Sequence, residues 1–94
     1  MNVRRIVLDV DKAADRPSIP DIAEAISACA GVEACNITVN EIDVETVGMN
    51  VTIEGSGLDL DVIRQAIERS GAAVHSLDQF VFGDRMVENI PRAR

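Results

Sequence analysis

Asp9 and Asp11 near the start of the chain, Glu41, Asp43 and Glu45 in its middle, and His75 late in it are the residues whose types could do chemistry. Carboxylate oxygens supplied by several segments are what a hard divalent cation such as Ca²⁺ or Mg²⁺ takes as ligands, and Asn40 or turn carbonyls could complete the shell. The spacing is not that of an EF-hand loop. The expected metal set is therefore Asp9, Asp11, Glu41, Asp43 and His75, provided that the fold gathers them; the bland counterpart is a solvated acidic rim. His75 also invites a catalytic reading, with a carboxylate to orient it. Asp78 is three residues on, which in a strand means the opposite face, so Asp9 is the expected partner. No nucleophile or cofactor motif accompanies the pair. The expectation is a binding module that is not an enzyme, with an Asp9–His75 enzyme as the remote alternative.

Cys29 and Cys35 flank Ala30-Gly31-Val32. Their spacing is neither C-x-x-C nor a zinc pattern, so both are expected to be buried, inert thiols packing as small hydrophobes.

The elements that must position these groups centre on Val32 to Glu54. Apolar and polar residues alternate from Val32 to Ile42 and again from Met49 to Glu54, with an acidic turn between them: a hairpin with one face buried. Before it, Arg4 to Val10 reads as a strand with Ile6, Leu8 and Val10 on one face, and Asp11 to Arg16 reads as a loop. Ser18 is a good N-cap with Asp21 three residues on, and Pro20 sits in the first turn, where a missing N–H costs little. Ile19, Ile22, Ala23, Ile26 and Ala30 form a helical stripe that Gly31 ends. After the hairpin, Gly55-Ser56-Gly57 breaks the chain, and Leu58 and Ile63 bracket Asp59 as a staple around an N-cap. Leu60, Ile63, Ala66, Ile67 and Ser70 form the second stripe, closed by Gly71. Ala73 to Phe82 reads as a strand, Gly83-Asp84 as a turn, and Met86, Val87 and Ile90 suggest a short extra strand before a basic tail.

The order βαββαβ predicts a single α+β domain over residues 1–94 with the ferredoxin-like split βαβ fold. It would have a four-stranded antiparallel sheet in the order 4-1-3-2, two helices on one face, and a C-terminal appendage over 83–94 able to reach a partner. The end of the first strand, the central turn and the start of the fourth strand then meet at one end of the sheet. This is why the carboxylates and His75 are expected to gather.

Several functions of that topology are disfavoured. Arg5 to Asp9 and Asn50 to Glu54 carry no aromatic platform for single-stranded RNA. Lys12 to Arg16 holds neither the C-x-x-C of copper-chaperone-like domains nor the phosphate cradle of acylphosphatases. The net charge of −7 opposes binding to nucleic acid. Aromatics are 2% of the chain, so the core is aliphatic and small, and self-association is expected to add burial. No signal-peptide pattern is seen, and no apolar run reaches the roughly 18 residues of a membrane span. With two reduced thiols, the expected location is cytoplasmic.

Three segments resemble the archaeal domain-of-unknown-function family 211: Arg4 through Val10; Gly31-Val32 through Asn36-Ile37-Thr38-Val39 to Glu41-Ile42-Asp43; and His75-Ser76-Leu77-Asp78. The resemblance runs from Arg4 to about Val87 and implies a ferredoxin-like fold and oligomeric assembly with no established activity; the uncovered sheet face and open edges make another copy of the chain the expected partner, a homo-oligomer. Asp15-Arg16-Pro17-Ser18-Ile19 is also similar to the Asp-Arg-Pro-Gly opening of ACT regulatory domains, with Ser18 in place of glycine. That likeness implies an alternative function, an amino-acid sensor with ligand near Asp15, Arg16 and Ser18 at a subunit interface.

Overall fold

A computed structural model describes residues 1–91. Six elements follow in order: β1 (Val3–Ala13), α1 (Ile19–Ser27), β2 (Val32–Ile42), β3 (Thr46–Gly55), α2 (Leu60–Ser70) and β4 (Ala73–Phe82). The strands form one antiparallel sheet in the order β2-β3-β1-β4, the expected order read from the other edge. The ferredoxin-like α+β architecture is thus the one the element order implies. Sheet and helix layer together make a slab only 17 Å in its smallest dimension and 40 × 38 Å across. No helix among the described residues is long and apolar enough to cross a membrane.

Local chemistry explains the helices. Ser18 Oγ accepts the Asp21 backbone N–H at 3.1 Å, and Asp59 Oδ1 accepts that of Val62 at 3.2 Å, so each helix begins on a satisfied donor. Gly71, at φ +106°, closes α2 in the left-handed conformation. The core lies between the layers. Ile6, Leu8 and Val10 of β1 and Met49, Val51 and Ile53 of β3 meet Ile22 and Ile26 of α1 and Ile63 and Ile67 of α2, all fully buried.

Four expectations need correction. β1 continues to Ala13, so Asp11 and Lys12 are strand residues and not loop; β3 reaches back to Thr46 and pairs with them. Lys12 thereby becomes the buried charged residue of the sheet, 8% exposed, with its ammonium donating to the carbonyls of Ala13 and Ala14. α1 stops at Ser27 with Ala28 as its cap, and Ala30 is exposed in the turn toward β2.

The third correction concerns Cys35, which is exposed and not buried, while Cys29 is half-buried with its thiol against the Ala25 carbonyl. Both thiols are free. Cys35 lies beside Ile53 on the helix side of β2, but a nine-residue α1 does not cover that edge. Packing around the sulfur still pushes its pKa up by desolvation.

Lastly, residues 83–91 form no extra strand. Arg4 donates from Nε to the Gly83 carbonyl at 2.7 Å, and Arg5 pairs with Glu88 at 2.8 Å. Beyond one backbone bond, from Gly83 N–H to the Asn2 carbonyl at 2.8 Å, side chains hold the segment in place of a strand ladder, and the guanidinium lowers the Glu88 carboxyl pKa. The rest of the appendage and its basic tail, residues 92–94, lie outside the described residues.

Candidate functional site at the acidic end of the sheet

β1 sends Ile6, Leu8 and Val10 to the helices, so its alternate residues, Val7, Asp9 and Asp11, stand on the open face. Asp9 is opposite Asn50 and Asp11 is opposite Gly48, both on β3; Glu41 of β2 is opposite Gly48 from the other side. Gly48 has no side chain, and that opens a niche between the two flanking strands. Asn40 Oδ1 lies 3.1 Å, and Asp11 Oδ1 3.5 Å, from the point where a Cβ on Gly48 would stand. Asn40 donates from Nδ2 to Asn50 Oδ1 at 3.0 Å, which leaves its carbonyl oxygen turned to the niche. Two acceptor oxygens from two strands therefore converge on one gap.

His75 comes to this site by a different contact from the one expected. Its Nδ1 is 4.0 Å from Asp11 Oδ2, so the neighbouring carboxylate is Asp11 and not Asp9. The reason is a register irregularity. β4 pairs Ser76 with Asp9 and then Val74 with Val10, leaving His75 as the extra residue of a bulge beside Asp11. Asp78 is taken by the Ser76 hydroxyl at 2.7 Å, as opposed faces required.

The other carboxylates do not join. Asp43 Oδ1 accepts the Val44 backbone N–H at 2.7 Å, fixing the hairpin turn. Glu45 contributes its backbone carbonyl to Ala14 N–H, and Glu41 is exposed on the edge strand. Among the described residues, no three His, Cys, Asp or Glu side chains come close enough together to hold a metal ion. The arrangement offers a carboxylate, an amide oxygen and an imidazole at one sheet end. With one carboxylate oxygen and one amide oxygen in place, a second carboxylate would have to swing in from Asp9 or Glu41 before more oxygens met there. The sequence offers Asn40 as a residue near this end; it does not single out Gly48, since nothing in it distinguishes a glycine that opens a niche from one that eases a strand.

The loop that precedes α1 is placed differently. Asp15 and Arg16 are exposed, the Arg16–Pro17 peptide is cis, and Pro17 is buried against Gly71. The Ser18 hydroxyl is already engaged as the helix cap.

Comparison with known proteins adds one family and one relative. The model of the family DUF211, described as uncharacterised ArCR, matches residues 4–94. An uncharacterised protein of Methanocaldococcus jannaschii is 43% identical over 88 residues, which is 94% of this chain and 90% of that protein.

Proposed function

The chain belongs to the DUF211 family. We propose that it is a non-enzymatic, cytoplasmic binding module that works as a homo-oligomer, with a divalent cation taken up at the acidic sheet end. The observation that carries the reading is β2. It is an edge strand of eleven residues, nine of them exposed, hydrogen-bonded on one side only. Register irregularities lie near its two ends, and between them Ala34 to Val39 is regular. This stretch carries no charge and no proline, so the usual guards of a sheet edge are missing where the edge is flattest. Cys35, Ile37 and Val39 sit opposite core residues of β3, yet Val39 is 38% exposed, and Ile42 and Val44 beyond it are 77% and 89% exposed. An apolar row beside unpaired backbone groups is the surface that a second chain would cover.

Sedimentation velocity checks the association. The wild type is expected to sediment as an oligomer, and Val39→Lys, which puts an ammonium on the uncovered row, to shift it toward smaller species. A wild-type protein that stays monomeric at high concentration would remove the reading.

The cation reading rests on the Asp11 and Asn40 oxygens that flank the Gly48 niche. Calorimetric titration with Ca²⁺ and Mg²⁺ is expected to show weak binding, since few protein oxygens are in place. Asp11→Asn is expected to lower the affinity about tenfold, which is about 1.4 kcal/mol. Equal affinity for the variant would take Asp11 out of the shell. The alternative, an ACT-like sensor, asks for a ligand near Asp15, Arg16 and Ser18; Ser18 Oγ already accepts the Asp21 N–H, so its hydroxyl would serve a ligand chiefly as a donor.

A further inference from the structure

The side of the slab away from the open sheet face carries a groove of about 560 Å³ between α1 and α2. Its floor is Ala25, Ala28 and Ala66, side chains too short to fill it. Its two walls have opposite charge: Asp21 and Glu24 on α1, Arg69 on α2. None of these three forms an ion pair among the described residues. Asp21 in the first turn of α1 and Arg69 in the last turn of α2 also suit the helix dipoles, but Glu24, in mid-helix, has no such role.

We propose that this groove is a docking surface for a second copy of the chain, related by a two-fold axis that passes through it. A two-fold operation maps the surface onto itself, so a residue i that meets j is matched by j meeting i. With the axis in the groove, Asp21 and Glu24 of each copy face Arg69 of the other. The alanine floor lets the two helix layers approach near the short end of the roughly 8–10 Å range of helix spacings. Charge selects this occupant. A purely basic partner would set cations against Arg69, and a purely acidic one would repel Asp21 and Glu24; a copy of the same groove satisfies both walls. Area permits it too. The slab is 40 × 38 Å across, ample for the about 800 Å² per partner of a standard interface. The surface is separate from the β2 edge, so the two can fail independently.

The test uses the full chain carrying Val39→Lys, which removes association through β2. Sedimentation equilibrium is expected to find a dimer. Arg69→Glu alone and Glu24→Arg alone should each weaken it at least about tenfold, because each puts like charges opposite each other twice. The double variant should regain most of the loss. Ala28→Arg, an exposed site that leaves the core untouched, should block the dimer by filling the groove and stands in if a charge reversal impairs folding. A dimer indifferent to all these changes overturns the proposal, as does a failure of the double variant to recover. A Val39→Lys chain that is monomeric at millimolar concentration also overturns it while leaving the β2 reading intact. Conversely, if Val39→Lys leaves the wild-type assembly unchanged and Arg69→Glu dissociates it, the groove stands and the edge reading falls. Binding of a free amino acid in the groove without dimerisation would overturn the proposal in favour of a small dipolar ligand.

Discussion

Gly55→Ala is expected to destabilise the protein by about 3 kcal/mol or more, at the top of the range for overpacking a filled site. A Cβ at Gly55 would run into the carbonyl oxygen of Gly31 and stand 3.1 Å from the backbone nitrogen of Glu33. These are main-chain atoms, so no side chain can rotate away. They also belong to a bonded crossing, since the Gly31 carbonyl accepts the Ser56 N–H at 3.1 Å. Making room at Gly55 would break the junction where β2 begins and β3 ends. Gly31 is under a double constraint: φ is +86°, and an added Cβ would meet the Ser56 carbonyl. For a domain of this size each kcal/mol lowers the melting temperature by roughly 4–8 °C, so the drop should exceed about 12 °C. Gly57→Ala is the control. Its φ of +63° makes alanine unfavourable, but nothing lies within 4 Å of the added atom, and the cost should be only about 1–2 kcal/mol. Thermal melts that place the Gly55 variant within 2–3 °C of wild type, roughly the size of a sub-kcal/mol effect, would refute the crossing.

A comparably large effect is expected from Leu8→Ala, about 2–5 kcal/mol, against about 1 kcal/mol or less for Val7→Ala. The two residues are adjacent on β1 and similar in chemistry, and only the face differs. Leu8 is fully buried among α1, α2 and the neighbouring strands, so its truncation loses transfer energy and leaves a cavity. Val7 is half-exposed on the open face, opposite Thr52 and Gln79. Urea denaturation of both variants, at protein concentrations that populate the same oligomeric state, measures the contrast. Equal losses would mean that the open face is covered in solution, and the assembly would then use that face as well as an edge.

The features legible in the chain were those written in local chemistry. Ser18 and Asp59 announce helix starts because their side-chain oxygens must satisfy backbone donors, and Gly71 announces an end because few other residues take φ near +106° without cost. The alternation of Ile6, Leu8 and Val10 identified the buried face of β1. The weak spots were places where the pattern was short or polar. Met86, Val87 and Ile90 do not keep the period of two, and the segment that holds them is tethered by Arg4 and Arg5 and not by a ladder. Asp11 and Lys12 look like loop residues. They are strand because β3 and β4 extend far enough to pair with that part of β1.

The candidate site divides along the same line. That Asp9, Asp11, Glu41, Asp43 and His75 lie toward one end of the sheet is what element order predicts, with Asn40 near them, since antiparallel connection returns those segments to a common end. Element order does not say which of them approach each other. A one-residue bulge in β4 gives His75 to Asp11, the turn claims Asp43, and the missing side chain at Gly48 lets Asp11 and Asn40 aim at one gap. Cys35 tells the same story for burial: its place on the helix side of β2 is set by parity, and its exposure by a helix too short to reach that edge. The six main elements, their order and the family can be read along the chain, because caps, periodicity and motif spacing act over a few residues; the extra strand suggested by Met86, Val87 and Ile90 does not form. Register shifts, the uncovered β2 row and the groove between the helices come only with the folded molecule, because each depends on the relative lengths and offsets of elements far apart in the chain.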